Sequence, residues 1–262
     1  MLIKTPYQNP ISKICPRGLL AIPDIQWTAG PQTLKLSSMR SFRGMFTILR
    51  NHGYEYVLNR YLPGVLNSKD LVSEDINILE ARILKDINAI ASHCTVNFAN
   101  PLLSQIAAGI HLWGGLAGRN AFIKGGGFKV NCPMSAYGEL VSLLMTYPKN
   151  VSLPDGNWLS IAALLKSFPN IGISFLTKHF SFWSRAYLAP IQLPILDKII
   201  FQKFIEPSRL PAWKDYVPYV NEMAAKREIL AKRSGLNAIT ISDIERQLFN
   251  LANSESIQNW SR

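Results

Sequence analysis

Gly172-Ile-Ser-Phe-Leu-Thr-Lys178-His-Phe-Ser-Phe-Trp183, continued by Leu193-Pro-Ile-Leu-Asp197-Lys-Ile-Ile200, decides how the rest of the chain is read. Lys178 falls inside a segment that reads as helix, and Asp197 opens the next helix after a connection from Pro190 to Pro194 that no helix crosses. An amine and a carboxylate nineteen residues apart can therefore face each other across a short turn. With Ser174 capping the first helix, Lys178 shares a face with Phe175, Phe182 and Arg185. Burial against the two phenylalanines predicts a lowered lysine pKa and more neutral amine, while Arg185 pushes the same way or holds a phosphate.

The pair suits scission of a bond to an anomeric carbon, where a carboxylate steadies an oxocarbenium-like centre while a desolvated amine attacks it. Each residue also has a bland role. A helical lysine is more often a solvated side chain whose stem covers apolar neighbours, and an aspartate at a helix start is commonly a cap.

Composition sets the frame around this pair. The 262 residues are 48% hydrophobic, enough to bury a sizeable core as one large domain or two closely packed lobes. A net charge of +11 and a pI near 9.7 imply an anionic partner, either nucleic acid or an acidic membrane surface. Cys15, Cys94 and Cys132 are spaced too widely and irregularly for a disulfide framework or a zinc or iron-sulfur ligand set. No metal or cofactor is expected, and a reducing, cytoplasmic location is. Met1 to Tyr7 has no apolar run after its lysine and does not read as a secretory signal. The uncharged run from Pro101 to Gly118 is the one membrane candidate, but it holds Ser104, Gln105, His111 and four glycines and reads as a buried helix plus a glycine turn.

Residues 1–35 carry Pro6, Pro10, Pro16, Pro23 and Pro31 with little periodicity and read as an irregular N-terminal arm or packing layer. Residues 36–262 read as a helical domain. Phe42, Met45, Phe46 and Leu49 recur at helical steps, as do Ile76, Leu79, Ile83, Ile87 and Ile90 after an acidic start. Further helices are predicted over 102–113, 136–146, 158–168, 174–187, 195–205, 213–232 and 243–252, the last opened by a Ser242 to Glu245 capping box. Short strand candidates lie only at 19–27 and 128–130, so the chain is mainly α.

The Thr-Lys helix and the Pro-Ile-Leu-Asp turn resemble those of the helix-hairpin-helix DNA glycosylases, most closely the bacterial 8-oxoguanine DNA glycosylase-like proteins. The resemblance extends to the Trp113-Gly-Gly-x-x-Gly-Arg119 run and to the closing Ile-Glu-x-x-Leu-Phe helix within 240–249. It implies a two-lobed helical fold with a cleft, Lys178 as nucleophile and Asp197 as essential carboxylate. The implied partner is double-stranded DNA carrying a modified base, bound by a monomer that flips the base out of the stack. Phe168-Pro-Asn-Ile-Gly-Ile-Ser174 resembles the hairpin of that family, which aims backbone amides at a phosphate. Asn170 stands at its first glycine position, and Lys178 lies six residues beyond Gly172, about one helical turn further than the family motif has it.

A flipped base needs a stacking wall and polar groups for its edge. His111, Trp113, Arg119 and Asn120, set among glycines, are the candidates, with Phe182 beside the lysine. Asn170, Gly172, Ser174, Arg185, Lys198 and Lys124 are the candidate contacts to the DNA backbone, Lys124 in a Gly-rich loop ending at Lys129. Lys203, Lys226, Arg227, Lys232 and Arg233 add basic surface. Two functions compete. One is a DNA N-glycosylase, with or without abasic-site lyase activity, that excises an oxidised purine or a bulky modified pyrimidine such as occurs in phage DNA. The other is a non-catalytic basic helical DNA-binding protein in which Lys178 touches phosphate and Asp197 only caps. A peripheral membrane protein is the weakest option, because no long helix combines a basic face with a strongly apolar one.

Overall fold

The computed structural model describes residues 40–64, 73–91, 101–123, 172–186, 192–234 and 238–260. Its helices are α1 (Arg40–Asn51), α2 (Glu55–Tyr61), α3 (Ser73–Ala91), α4 (Leu102–Trp113) and α5 (Arg119–Ile123), then α6 (Ile173–Ala186), α7 (Lys198–Ile200), α8 (Tyr216–Ser234) and α9 (Ile241–Trp260). Short 3-10 turns precede α5 and α8, and α7 runs into a π turn over Phe201–Ile205. The described residues are mainly α and contain no strand. The N-terminal arm, the helices expected at 136–146 and 158–168, both strand candidates, Lys124, Asn170 and the rest of the hairpin before Gly172 lie outside them.

Periodicity built these helices as expected. Ile76, Leu79, Ile83, Ile87 and Ile90 form the buried stripe of α3, which packs on α4 and α6. The uncharged run became α4, whose Leu103, Ile106, Ala107, Ala108 and Ile110 lie in the core. No described helix is long and apolar enough to cross a membrane. Every described α-helix adds apolar side chains to one continuous core cluster.

At its centre lies α6, which is buried on all sides from Phe175 to Ser184. Phe180, Phe182 and Trp183 are fully buried, each contributing about 1.5–3 kcal/mol of apolar transfer. An ion cluster ties this helix to its neighbours. Glu80 of α3 accepts from Arg185 of α6 and Arg246 of α9, with Glu80 itself 4% exposed.

Three boundaries differ from expectation for identifiable reasons. The first turn of α6 is closed by the Gly172 carbonyl, which accepts from the Phe175 and Leu176 amides, so Ser174 lies inside the helix rather than capping it. The helix expected from Ile195 starts only at Lys198, because Asp197 is extended (φ −80°, ψ 140°) and caps from there. The capping box of α9 is Thr240 with Asp243, not Ser242 with Glu245. Thr240 Oγ1 accepts from the Asp243 amide at 3.1 Å, and Asp243 Oδ2 accepts from the Thr240 amide at 2.9 Å. That register releases the Glu245 side chain from any capping duty.

Candidate active site

Residues 192–197 form no regular structure, yet they are buried or partly buried and side chains hold the amides of Leu193, Ile195 and Leu196. Ser184 Oγ accepts from the Leu193 amide at 2.9 Å, Glu245 Oε1 from Ile195 at 2.6 Å and Thr177 Oγ1 from Leu196 at 3.0 Å. Pro194 has no amide to satisfy, and its carbonyl accepts from the Tyr216 hydroxyl at 3.2 Å. The Asp197 amide closes on the Ile195 carbonyl at 2.8 Å. Irregular backbone packed against a core needs hydrogen-bond partners, and here α6, α8 and α9 supply them.

The turn delivers Asp197 to the lysine. Asp197 Oδ1 accepts from the Ile199 amide at 2.7 Å, capping α7, while Oδ2 lies 3.8 Å from Lys178 Nζ. Ser174 Oγ stands between the two charged groups, accepting from Lys178 Nζ at 2.9 Å and donating to Asp197 Oδ2 at 3.4 Å. One carboxylate thus caps a helix and faces an amine. The Lys178 side chain is only 9% exposed, and its Nζ sits 4.8 Å from the centre of the Phe175 ring. Burial lowers its pKa, and the charge of Asp197, joined by that of Glu245 when ionised, opposes that effect. The amine therefore gives up its proton more readily than a surface lysine, although a carboxylate faces it at 3.8 Å.

A second wall comes from α4. His111 stacks on Phe175 at 4.8 Å between ring centres, and its Nε2 lies 3.1 Å from Nε2 of His179, so one imidazole donates to the other. The glycines of the Trp113-Gly-Gly-x-x-Gly run permit this packing. Gly115 has φ +68°, and a Cβ on Gly118 would lie 2.4 Å from the His111 carbonyl oxygen. On Gly114 a Cβ would meet the Phe175 ring at 2.3 Å.

Both histidines are held neutral. Burial, then the charge of Lys178, lowers the His179 pKa to about 3, and burial takes His111 well below its ordinary value. As the pH falls from about 6.5, the unfolded chain takes up protons that the folded chain refuses, so each histidine should cost about 1.4 kcal/mol of stability per pH unit. Denaturant unfolding at neutral and mildly acid pH should show this loss, and His179→Gln should reduce the slope. An unchanged slope in that variant would exclude the pair as its source.

The remaining candidates separate into groups. Phe182 is fully buried and packs edge-on against half-buried Trp113 at 5.3 Å, and the buried indole Nε1 of Trp113 has no hydrogen-bond partner among the described residues. His111 is enclosed behind Phe175 rather than lining open space. Arg119 and Asn120 lie exposed at the start of α5, and Lys198 is exposed beside Asp197. Arg185 is committed to Glu80, with its guanidinium 5.8 Å from the Phe182 ring centre. Gly172 is exposed, with open space around its Cα. Ser174 turns inward to the lysine and aspartate.

No family model, curated protein or solved structure matches the chain.

Sequence reasoning missed Thr177, His179, Ser184 and Glu245. Glu245 carried a usable signal: it falls four residues after buried Ile241 and three before buried Leu248, which sets a charge inside an apolar stripe.

Proposed function

We propose that the protein is a DNA glycosylase that excises a modified base, an oxidised purine or a bulky modified pyrimidine, from a flipped nucleotide. The observation that supports this most is the buried Lys178 amine, facing the Asp197 carboxylate at 3.8 Å with the Ser174 hydroxyl between them. In the reaction, the neutral amine of Lys178 bonds to C1′ of the nucleotide as the N-glycosidic bond breaks. The bond's electron pair leaves with the base, which takes up the proton shed by the attacking nitrogen. Asp197 faces the positive charge that develops on the sugar. Opening of the sugar ring then gives an imine, from which strand scission can proceed.

The exposed cations Arg119 and Lys198 would hold phosphates, and the net charge of +11 predicts affinity that falls steeply with salt. Trp113, half-buried beside Phe182, is the stacking surface nearest in type to what a flipped base needs. The two-lobed helix-hairpin-helix arrangement belongs to the same proposal.

Borohydride trapping tests it. Incubation with duplexes carrying a panel of oxidised purines and bulky pyrimidines, in the presence of borohydride, should give a covalent protein–DNA adduct through Lys178 and free base. The Lys178→Ala protein should give no adduct. Absence of adduct and of released base across the panel, with Lys178→Ala binding DNA like the parent, would favour a non-catalytic DNA-binding protein.

A further inference from the structure

Three side chains accept from the amides of the turn that carries Asp197, and of these only one can change its charge. Ser184 and Thr177 are hydroxyls. Glu245 is a buried carboxyl reaching from α9, where its Oε1 accepts from the Ile195 amide at 2.6 Å and lies 3.5 Å from the Tyr219 hydroxyl. Ile195 is two residues from Asp197, and its carbonyl accepts from the Asp197 amide, so both backbone polar groups of Ile195 bear on where the carboxylate sits. The charged and titratable groups facing Glu245 are Lys178 and Arg185 from α6, Asp197 from the turn, and Tyr216 and Tyr219 from α8.

We propose that Glu245 is the positioning residue of this site: its carboxyl fixes the turn that carries Asp197, and its charge sets how firmly Lys178 keeps its proton. The consequence for base excision rests on the glycosylase reading; the placement itself does not. Burial raises the Glu245 pKa to about 8, so near neutral pH the carboxyl is protonated and adds no second negative charge beside Asp197. The amine is then opposed by Asp197 alone. As the pH rises, Glu245 ionises, its charge strengthens the hold of Lys178 on its proton, and the two titrations spread across each other. Protonated Glu245 thus favours a neutral nucleophile in the range where the unperturbed lysine would be an ammonium.

Two measurements without DNA test this. The first follows the pH dependence of Lys178 labelling by a small amine reagent, read by peptide mass spectrometry. Glu245→Gln keeps an acceptor oxygen for Ile195 but cannot ionise, so its Lys178 labelling midpoint should fall by about one pH unit and its curve should sharpen to a single site. An unchanged midpoint in a folded variant overturns the proposal. The second uses the unsubstituted protein and stays decisive if the variant does not fold. The Ile195 amide resonance should shift with a midpoint of about 8, as its acceptor ionises. A resonance that stays flat from neutral to strongly alkaline pH also overturns it. Neither readout depends on base release, so failure of the glycosylase assays would leave this result standing.

Discussion

If the protein is the glycosylase proposed, Asp197→Asn should lower base release by about 1,000-fold while leaving the melting temperature within a few degrees of the parent. The two halves of that expectation come from the two oxygens of one side chain. Oδ1 caps α7 through the Ile199 amide, and asparagine caps as well as aspartate does, so the local fold survives. Oδ2 faces Lys178 and Ser174, and there the amide removes the negative charge that the proposed reaction sets opposite a developing sugar cation. It also removes the leading charge that supports the lysine ammonium, so the amine should become more neutral, not less. A loss of activity despite a more available nucleophile would locate the contribution of Asp197 in the transition state. Asp197→Ala separates the cap from the chemistry, since it should lose the same activity and about 1 kcal/mol of stability besides. If Asp197 is only a cap, the asparagine variant will match the parent in every assay and only the alanine variant will be weakened.

Glu80→Ala should cost about 3–5 kcal/mol, lowering the melting temperature by about 10 °C or more. The carboxylate lies in the core and is shared by two guanidiniums from different helices, Arg185 and Arg246, which are only partly reached by solvent. Its removal leaves two like charges close together without their common counter-charge. Glu80→Gln keeps an acceptor but not the charge and should fall between parent and alanine. Replacing the whole cluster, with Glu80→Leu, Arg185→Met and Arg246→Leu together, should recover much of the loss, because well-packed apolar groups often equal a buried ion cluster. Thermal and denaturant unfolding of the three proteins measures this. An alanine variant within about 0.5 kcal/mol of the parent would show that solvent already screens the cluster.

Local pattern made the helices legible, and long-range contact made the site only half legible. The stripe of isoleucines in α3, the uncharged run that became α4, and the Phe175, Lys178, Phe182 face of α6 are all fixed by neighbours within two turns. The lysine and aspartate were legible because prolines place their turn. What closes the site comes from far away in sequence: Glu245 reaches Ile195 across 50 residues, and His111 meets His179 across 68. No helical period encodes such meetings. The start of α9 shows the limit most plainly. Thr240 with Asp243 and Ser242 with Glu245 fit the same capping pattern, and local chemistry does not choose between them. In the register adopted, Glu245 is left to accept from the Ile195 amide, a contact from far away in sequence. Ser174 was misplaced for a related reason: its position on α6 was legible, but not that Asp197 would stand opposite to draw the hydroxyl inward.

The complete enclosure of α6 has a consequence for how the molecule moves. A helix with no solvent-facing side cannot open a few residues at a time without exposing core, so its amides should exchange with solvent only when the whole domain unfolds. The exposed loop at Pro207 to Leu210 has no such protection and should exchange far sooner. Slow hydrogen exchange at Thr177 to Trp183, beside fast exchange at 207–210, would mark the lysine as a fixed anvil. Any reacting bond then has to be carried to the amine, since the amine has no way of travelling to the bond.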